Sequence, residues 1–266
     1  MTTVRFLLLA SIFLIFQNCD ENASANHVLV GPLNAQLLPP NAVPALGHIN
    51  NVNCWIENDR FFATGICSNG SADWQKFWLE AEPINAAGKS ITISNHKSVI
   101  IKTFSDAVPP VGRTSFYISW PVSSFSETPS SLNVKVAGAV KKEAGPILSV
   151  PMTNSMRMYA PNSPEQIVPE ESSWQLSGTL MNPLDLVASK PMLEILIYGK
   201  DNLLWFSTVL NTLDPANSSI FQMQGMEPFK PKETRPFTLQ IYYKVLPEVL
   251  KAKKIGRVDI LPFEGR

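Results

Sequence analysis

Two cysteines are the residues of this 266-residue sequence with the clearest potential for covalent chemistry. Cys54 and Cys67 form an even pair once Cys19, which lies near the N-terminus, is set aside. An even pair in an exported protein favours a disulfide, so we predict a Cys54–Cys67 bridge. The turn signal Asn58-Asp59 sets Cys54 opposite Ala63 in a simple hairpin, so the bridge needs another turn, a bulge or non-adjacent strands. Two buried free thiols are the alternative.

The second candidate site is the segment DWQKFWLE, which contains two tryptophans at a spacing of four. On a regular strand Trp74, Lys76 and Trp78 point to one face, and Phe77 and Leu79 point to the other. If Phe77 and Leu79 fill a core, the opposite face is exposed and suits a protein partner or stacking on a glycan. That face consists of Trp74, Lys76 and Trp78. The alternative is that Trp78 belongs to the core and a bulge shifts the register, because sandwiches usually bury a tryptophan.

No pattern in the sequence indicates catalysis or a bound cofactor. The three histidines, His27, His48 and His96, lack the spacing that brings two imidazoles to one metal. Nucleophile-elbow, Walker and dinucleotide-binding glycine motifs are also missing from the sequence. A serine hydrolase built from Ser105, Asp106 and His96 is a weaker hypothesis, because triads are recognised by geometry. We therefore predict a non-enzymatic protein with no metal and no cofactor.

The N-terminal segment is typical of an exported protein. Arg5 precedes the apolar run FLLLASIFLIF, residues 6–16, which is too short to span a bilayer and matches the core of a signal peptide. Two cleavage signals follow it: Cys19 after a lipoprotein leader 1–18, and Ala23-Ser24-Ala25 at the end of a signal peptide 1–25. We favour lipidation of Cys19, because the polar DENASANH then begins a tether. Location in the bacterial envelope, periplasmic or lipid-anchored, is predicted, and free secretion is the alternative.

Composition limits the partners. Lys and Arg number 22, as do Asp and Glu, so no net charge draws the chain to nucleic acid, and contact with a membrane is expected only through the lipid anchor. The 22 prolines outnumber the 13 glycines, which favours short strands with stiff turns. Runs rich in β-branched and aromatic residues predict an all-β protein. The predicted strands are RFFATGIC, WQKFWLEAE, SITIS, SVIIKTF, TSFYISW and LNVKVAGAV, followed by WQLSGTL, MLEILIY, LLWFSTVL, SSIFQM and PFTLQIYY. A single helical turn is possible at PEVLKAKK.

A weak internal repeat divides the body of the chain. The first matches have an offset of 113 and the later ones an offset of 105, which predicts eight extra residues in the first copy between Lys89 and Asp106. The matches are Thr64-Gly65 with Ser177-Gly178, Asn69 with Asn182, Pro110 and Phe116 with Pro215 and Phe221, and Val134 and Val136 with Leu239 and Ile241.

The second copy resembles the FxLYD-type bacterial domain and is similar in pattern to LEA14-like modules. The matching motifs are Gly178 before Asn182, a strand ending in Tyr198, the polar turn 199–202, and Pro215 to Phe221. The first copy is similar more loosely, through Gly65, Asn69, Ala87-Gly88-Lys89 and Pro110 to Phe116. The resemblance implies an immunoglobulin-like sandwich in an exported binding or scaffolding protein, and it transfers no catalytic residue.

We therefore predict two tandem antiparallel immunoglobulin-like β-sandwich domains after a signal peptide. The predicted bounds are a tether at 26–47, a first domain at 48–155, a linker at 156–171 and a second domain at 172–266. The predicted function is to bind or position another envelope protein. A carbohydrate-binding module that uses Trp74 and Trp78 is the alternative.

Overall fold

The computed structural model describes residues 38–143, 157–159, 173–211, 221–224, 228–242 and 246–264. The leader, Cys19 and residues 26–37 of the predicted tether lie outside these ranges, so cleavage and lipidation stay predictions. Among the described residues, no helix has the length and apolar character needed to cross a membrane.

The prediction of an all-β sandwich-type fold is confirmed, because the described residues form antiparallel strands in four sheets with one short helix. The first half of the chain contains β1 (Gly47–Glu57), β2 (Arg60–Asn69), β3 (Trp74–Asn85), β4 (Val99–Lys102), β5 (Arg113–Pro121), a 3₁₀ turn (Val122–Ser124) and β6 (Pro129–Lys142). The second half contains β7 (Arg157–Tyr159), β8 (Ser173–Met181), β9 (Pro191–Gly199), β10 (Leu204–Asn211), β11 (Phe221–Gln224), β12 (Thr234–Tyr242), α1 (Glu248–Lys253) and β13 (Ile255–Glu264). Helix α1 falls on the expected PEVLKAKK segment.

The two halves have corresponding strand orders. In the first half the sheets are β1-β2-β5 and β4-β3-β6, and in the second half they are β7-β8-β12-β11 and β10-β9-β13. The two sheets of each half share a hydrophobic core, as expected for a sandwich. Phe61, Phe77 and Phe116 are central to the first core, and Ile195 and Phe237 to the second.

Two buried asparagines hold equivalent turns and confirm the first part of the repeat. Asn69 at the end of β2 accepts a bond from the Ser71 amide at 2.9 Å and donates to the Asp73 carbonyl at 2.8 Å. Asn182 after β8 accepts from the Leu184 amide at 3.2 Å and donates to the Leu186 carbonyl at 2.7 Å. Both side chains also donate to carbonyls of the turn before the third strand of their sheet, which are those of Val108, Pro109 and Lys230.

The downstream part of the predicted repeat is wrong. The Asn69 amide donates to the Gly112 carbonyl, and the Asn182 amide donates to the Glu233 carbonyl, so the offset rises from 113 to 121. The eight extra residues therefore belong to the second half. Phe116 corresponds to Phe237 and not to Phe221, because Pro-x5-Phe occurs three times in the sequence and the wrong copy was matched.

Three further elements differ from the prediction. SITIS forms only isolated bridges, because the chain turns at Ser94 and Asn95, which have φ angles of 47° and 68°. Strand β7 lies within the predicted linker and pairs with β8. Strand β13 was not predicted, and it explains the misassigned repeat: β13 is the counterpart of β6, a position that the sequence comparison gave to β12.

Candidate functional site

The most distinctive feature of the molecule is a buried contact between its halves. Strands β5 and β9 alternate residues that face their own core with residues that face the other half. Between the β1-β2-β5 sheet and the β10-β9-β13 sheet, Ile66 packs against Leu196, Tyr198 and Leu204 in a separate apolar cluster. The two inner sheets therefore lie face to face, and both sides of each are covered.

Aromatic side chains extend this interface. Trp55 of β1 stacks on Phe62 of β2 with ring centroids 5.2 Å apart and meets the edge of Trp205 from β10 at 5.2 Å. Tyr117 of β5 makes a similar edge contact with Phe206 of β10 at 5.2 Å. Edge-to-face geometry places the positive rim of one ring on the negative face of another, which adds to the burial of apolar surface.

Polar contacts fix the register of the two halves. The pairing of β10 with β9 is irregular between Leu204 and Phe206. The carbonyl of Leu204 accepts bonds from Thr64 Oγ1 at 2.7 Å and from Asn53 Nδ2 at 3.1 Å. At the C-terminal end of β1, the carboxylate of Glu57 accepts a bond from the Glu248 amide of α1 at 2.8 Å.

Glu194 is the one charged residue of the second half that inserts fully into this interface among the described residues. It lies in the middle of β9, on the face opposite Leu193 and Ile195, and its exposed fraction is 0%. Its Oε2 accepts a bond from Thr114 Oγ1 at 2.9 Å, and its Oε1 accepts from Ser115 Oγ and the Ser115 amide. Burial raises the pKa of Glu194 to about 7, and the bonds from Ser115 and Thr114 oppose that rise.

Glu194 also borders a cavity of about 330 Å³ between the two halves. The walls are mostly apolar and come from β3, the segment between β4 and β5, the start of β5, and β13. A cavity of this size with a few polar groups is typical of a small binding site. The lining residues used below are Trp74, Pro109, Val111, Arg113, Glu194 and Phe263.

Val111 at the rim of this cavity is unusual. Its side chain is 93% exposed, and its φ angle of 59° lies in the left-handed region that β-branched residues avoid. The Gly112 amide donates to the Pro109 carbonyl across this turn, and Lys232 has the same conformation, with φ of 57°, at the equivalent turn of the second half. The turn is therefore structural, but a valine at its tip presents apolar surface to solvent.

The predicted Trp74, Lys76 and Trp78 face has the expected direction but not the expected exposure. Phe77 and Leu79 are fully buried in the first core, so the other three residues point outward. Trp78 is nevertheless only 8% exposed, and the Lys76 ammonium lies 5.6 Å from the centre of its ring. Trp78 lies opposite Gly138 on β6, and the chain before β1 covers this position: a Cβ on Gly138 would lie 3.3 Å from that of Ala42 and 3.7 Å from Leu38 Cδ2.

The stripe of two exposed tryptophans is therefore not present. Trp74 is half-buried and belongs to the wall of the cavity. Lys76 is ion-paired with Asp106. The register shift in the pairing of β3 with β6 does occur, between Trp78 and Leu79, but it does not move Trp78 into the core.

The predicted Cys54–Cys67 disulfide is also absent, and both thiols are free. Asn58 and Asp59 form the turn with positive φ, and Cys54 pairs with Ala63 as the simple hairpin requires. Cys67 lies four residues further along β2, which is about 13 Å at the rise of a β-strand, whereas a disulfide needs Cα atoms closer than about 7 Å. Burial raises the pKa of Cys54 to about 11 and that of Cys67 to about 12.

The residues of the hypothetical hydrolase do not form a triad. Ser105 Oγ donates to the Ala107 carbonyl at 3.1 Å, Asp106 pairs with Lys76, and His96 lies exposed in the turn after Ile93. Within the described ranges, no group of three His, Cys, Asp or Glu residues is placed to hold a metal ion.

Sequence reasoning missed Glu194 and the aromatic residues around Trp55. One signal was available for Glu194, because it is the single charged residue in the otherwise apolar strand MLEILIY. A strand with one solvated face would carry polar residues at Leu196 and Tyr198 as well. The apolar character of both faces indicates that this strand is covered on both sides.

Comparisons with known proteins leave the family open. No family model matches this chain, and no curated protein is significantly similar to it. A complex of the Amycolatopsis orientalis exo-chitosanase CsxA with PNP-beta-D-glucosamine is similar at a TM-score of 0.23 and 9% identity, over 81% of this chain and 26% of that chain. The red sea bream transglutaminase is similar at a TM-score of 0.19 and 9% identity, over 73% of this chain and 27% of that one. This chain thus spans about a quarter of the length of those proteins.

Proposed function

We propose that this protein is a non-enzymatic exported protein of the cell envelope that binds another envelope protein, and that the partner contacts the cavity between its two halves. The observation that carries the proposal is the pairing of a mostly apolar cavity with an exposed apolar residue, Val111, at its rim. Exposed apolar groups beside a concave surface are typical of interaction sites.

The half-buried Trp74 and the charged Arg113 fit this role. Trp74 supplies a large apolar surface, and tryptophan and arginine are enriched among the residues that dominate protein–protein binding. Arg113 is paired with Asp259 at 3.0 Å and keeps a side-chain exposure of 42%, so it lies at the edge of the site. The FxLYD-like resemblance and a lipid anchor at Cys19 belong to the same proposal, as expectations from the sequence.

Site-specific photocrosslinking in the producing cells tests the proposal. A photoreactive amino acid is placed at Val111 and, in a control protein, at Leu186, which is 66% exposed and does not line the cavity. We expect one discrete protein adduct from position 111 that Trp74→Ala weakens, and no such adduct from position 186. The same adducts from both positions, or an adduct at 111 that is indifferent to Trp74→Ala, would refute the partner site.

A further inference from the structure

The carboxylate of Glu194 joins the two halves through donors that all belong to one strand of the other half. Thr114 and Ser115 supply two hydroxyls and one amide from β5, and Glu194 is the only acceptor that β9 contributes to them within the described residues. Thr114 Oγ1 also accepts the Ser105 amide at 3.0 Å, so the segment that carries the cavity wall is tied to the same contact.

The charged surroundings of Glu194 do not neutralise it. Arg113 is the nearest cation on β5, but its guanidinium is bound to Asp259 of β13, which Arg257 also contacts at 3.1 Å. The neighbours that pair with Glu194 along its own sheet are Val209 of β10 and Leu261 of β13, which carry no charge. The other ionisable groups here are Cys67 of β2 and Tyr198 of β9, both of which are neutral at physiological pH because burial raises the pKa of each.

We propose that Glu194 is a pH-sensitive switch between the two halves: with its proton bound, it favours their close contact, and in its ionised form it weakens that contact. The physical reason is that an ionised carboxylate without a free cation loses more hydration on burial than three hydrogen bonds return. A neutral carboxyl keeps the hydrogen bonds, since its own proton can be donated to the Thr114 or Ser115 hydroxyl.

The direction of the pH effect follows from linkage. Burial raises the pKa of Glu194 from 4.5 to about 7. The closed form, in which the two halves are in contact and Glu194 is buried, therefore binds the proton more tightly than an open form in which Glu194 is hydrated. The stabilisation of the closed form is complete below about pH 4.5 and is lost as the pH rises to 7. Between pH 5.5 and 8.5 the equilibrium constant for closing should fall roughly 30-fold.

This inference does not depend on the proposed partner site. Crosslinking at Val111 tests that site, whereas the state of Glu194 is read at Ser115, whose amide is its hydrogen-bond donor. In ¹⁵N-labelled full-length protein, we expect the Ser115 amide resonance to titrate with a midpoint near pH 7. The resonance should not titrate in Glu194→Gln, which has the same shape and no charge. Thr114→Val, which removes one donor to the carboxylate, should move the midpoint upward.

The separation of the two halves is measured by pulsed electron paramagnetic resonance, as the distance between two spin labels. One label is at Gly88 in the first half and the other at Leu186 in the second, and both positions are exposed. In the wild type, we expect a longer distance population that grows from pH 5.5 to 8.5. In Glu194→Gln the distribution of distances should be the same at both pH values. A Ser115 amide that does not titrate between pH 5 and 8.5, or a Glu194→Gln protein with the wild-type pH dependence, would overturn the proposal.

Discussion

Gly65 lies directly opposite Phe116 on the neighbouring strand, and a methyl group on Gly65 would lie 2.5 Å from Cε1 of the phenylalanine ring. The same relationship joins Gly178 and Phe237 in the second half, where the corresponding distance is 2.6 Å. Each ring therefore covers a glycine across the strand pair, which explains why both glycines occur within otherwise regular strands.

Gly65→Ala and Gly178→Ala should each lower the free energy of unfolding by about 1–3 kcal/mol, because the ring opposite has to leave a well-packed position. Chemical denaturation of the purified variants measures the loss. The control is Gly88→Asn, since Gly88 has a φ of 75° and nothing within 4 Å, and asparagine tolerates that conformation. Alanine variants as stable as the control would show that the close ring contact is not maintained in solution.

Asn69→Ala and Asn182→Ala should destabilise their own halves by about 3 kcal/mol, because each removes a buried side chain and leaves its carbonyl and amide partners without hydrogen bonds. Asn85→Ala is the matched control. Its side chain also accepts two amide bonds in a turn, from Ala87 and Lys89, but the turn is exposed and water can replace it. Denaturant unfolding of the three variants should give a clearly smaller loss of stability for Asn85→Ala, and equal losses would contradict the explanation from burial of the asparagine side chains.

The strands of this fold could be predicted from the sequence wherever polarity alternates or β-branched residues cluster. The strands that fall on predicted runs are β2, β3, β4, β5, β6, β8, β9, β10, β11 and β12. β13 escaped prediction because Gly256, Pro262 and three charged residues interrupt its apolar pattern. The register of the repeat could not be predicted for a different reason: three equally spaced Pro and Phe pairs exist, and only strand pairing distinguishes them.

The candidate site was less predictable, because it is formed by residues distant in sequence. The direction of Trp78 followed from alternation along β3, but its cover comes from a segment near Ala42 that carries no recognisable signal. The apolar residues on both faces of β9 indicate that Glu194 is covered, but the sequence does not indicate that the donors to its carboxylate come from β5. Pairing rules predict which face a side chain takes, whereas its burial depends on what packs against that face.

Trp78→Ala truncates a buried side chain outside the core and should lower the free energy of unfolding by about 3 kcal/mol. Trp74→Ala should lower the free energy of unfolding clearly less, because Trp74 is half-buried and lines an open cavity. Thermal and denaturant unfolding of the two variants make the comparison. Two results would instead support an exposed stripe of tryptophans. One is a larger loss of stability for Trp74→Ala than for Trp78→Ala, and the other is a Trp78→Ala protein of unchanged stability that is no longer retained on immobilised glycan.

Both thiols should be unreactive in the folded protein. Burial raises the pKa of Cys54 to about 11 and of Cys67 to about 12, so they are thiols at pH 8 with at most about one part in a thousand as thiolate. Ellman's reagent at pH 8 should therefore label neither until denaturant is added, when both should react. An intact mass that rises by two hydrogens on reduction would instead reveal a disulfide.

Val111→Gly should stabilise the protein and, at the same time, weaken the binding of its partner protein. Glycine adopts the φ of 59° without strain, whereas a β-branched residue held there costs about 1–3 kcal/mol, so we expect the free energy of unfolding to rise by about 1 kcal/mol. Lys232→Gly, at the equivalent turn of the second half, gives the control for relief of the backbone alone. Denaturant unfolding measures the first effect. The yield of the protein adduct measures the second, with the photoreactive group moved to Pro262, a half-buried residue that also lines the cavity. If Val111→Gly leaves that yield unchanged, the exposed valine has no part in binding, and its conformation is only a consequence of the turn.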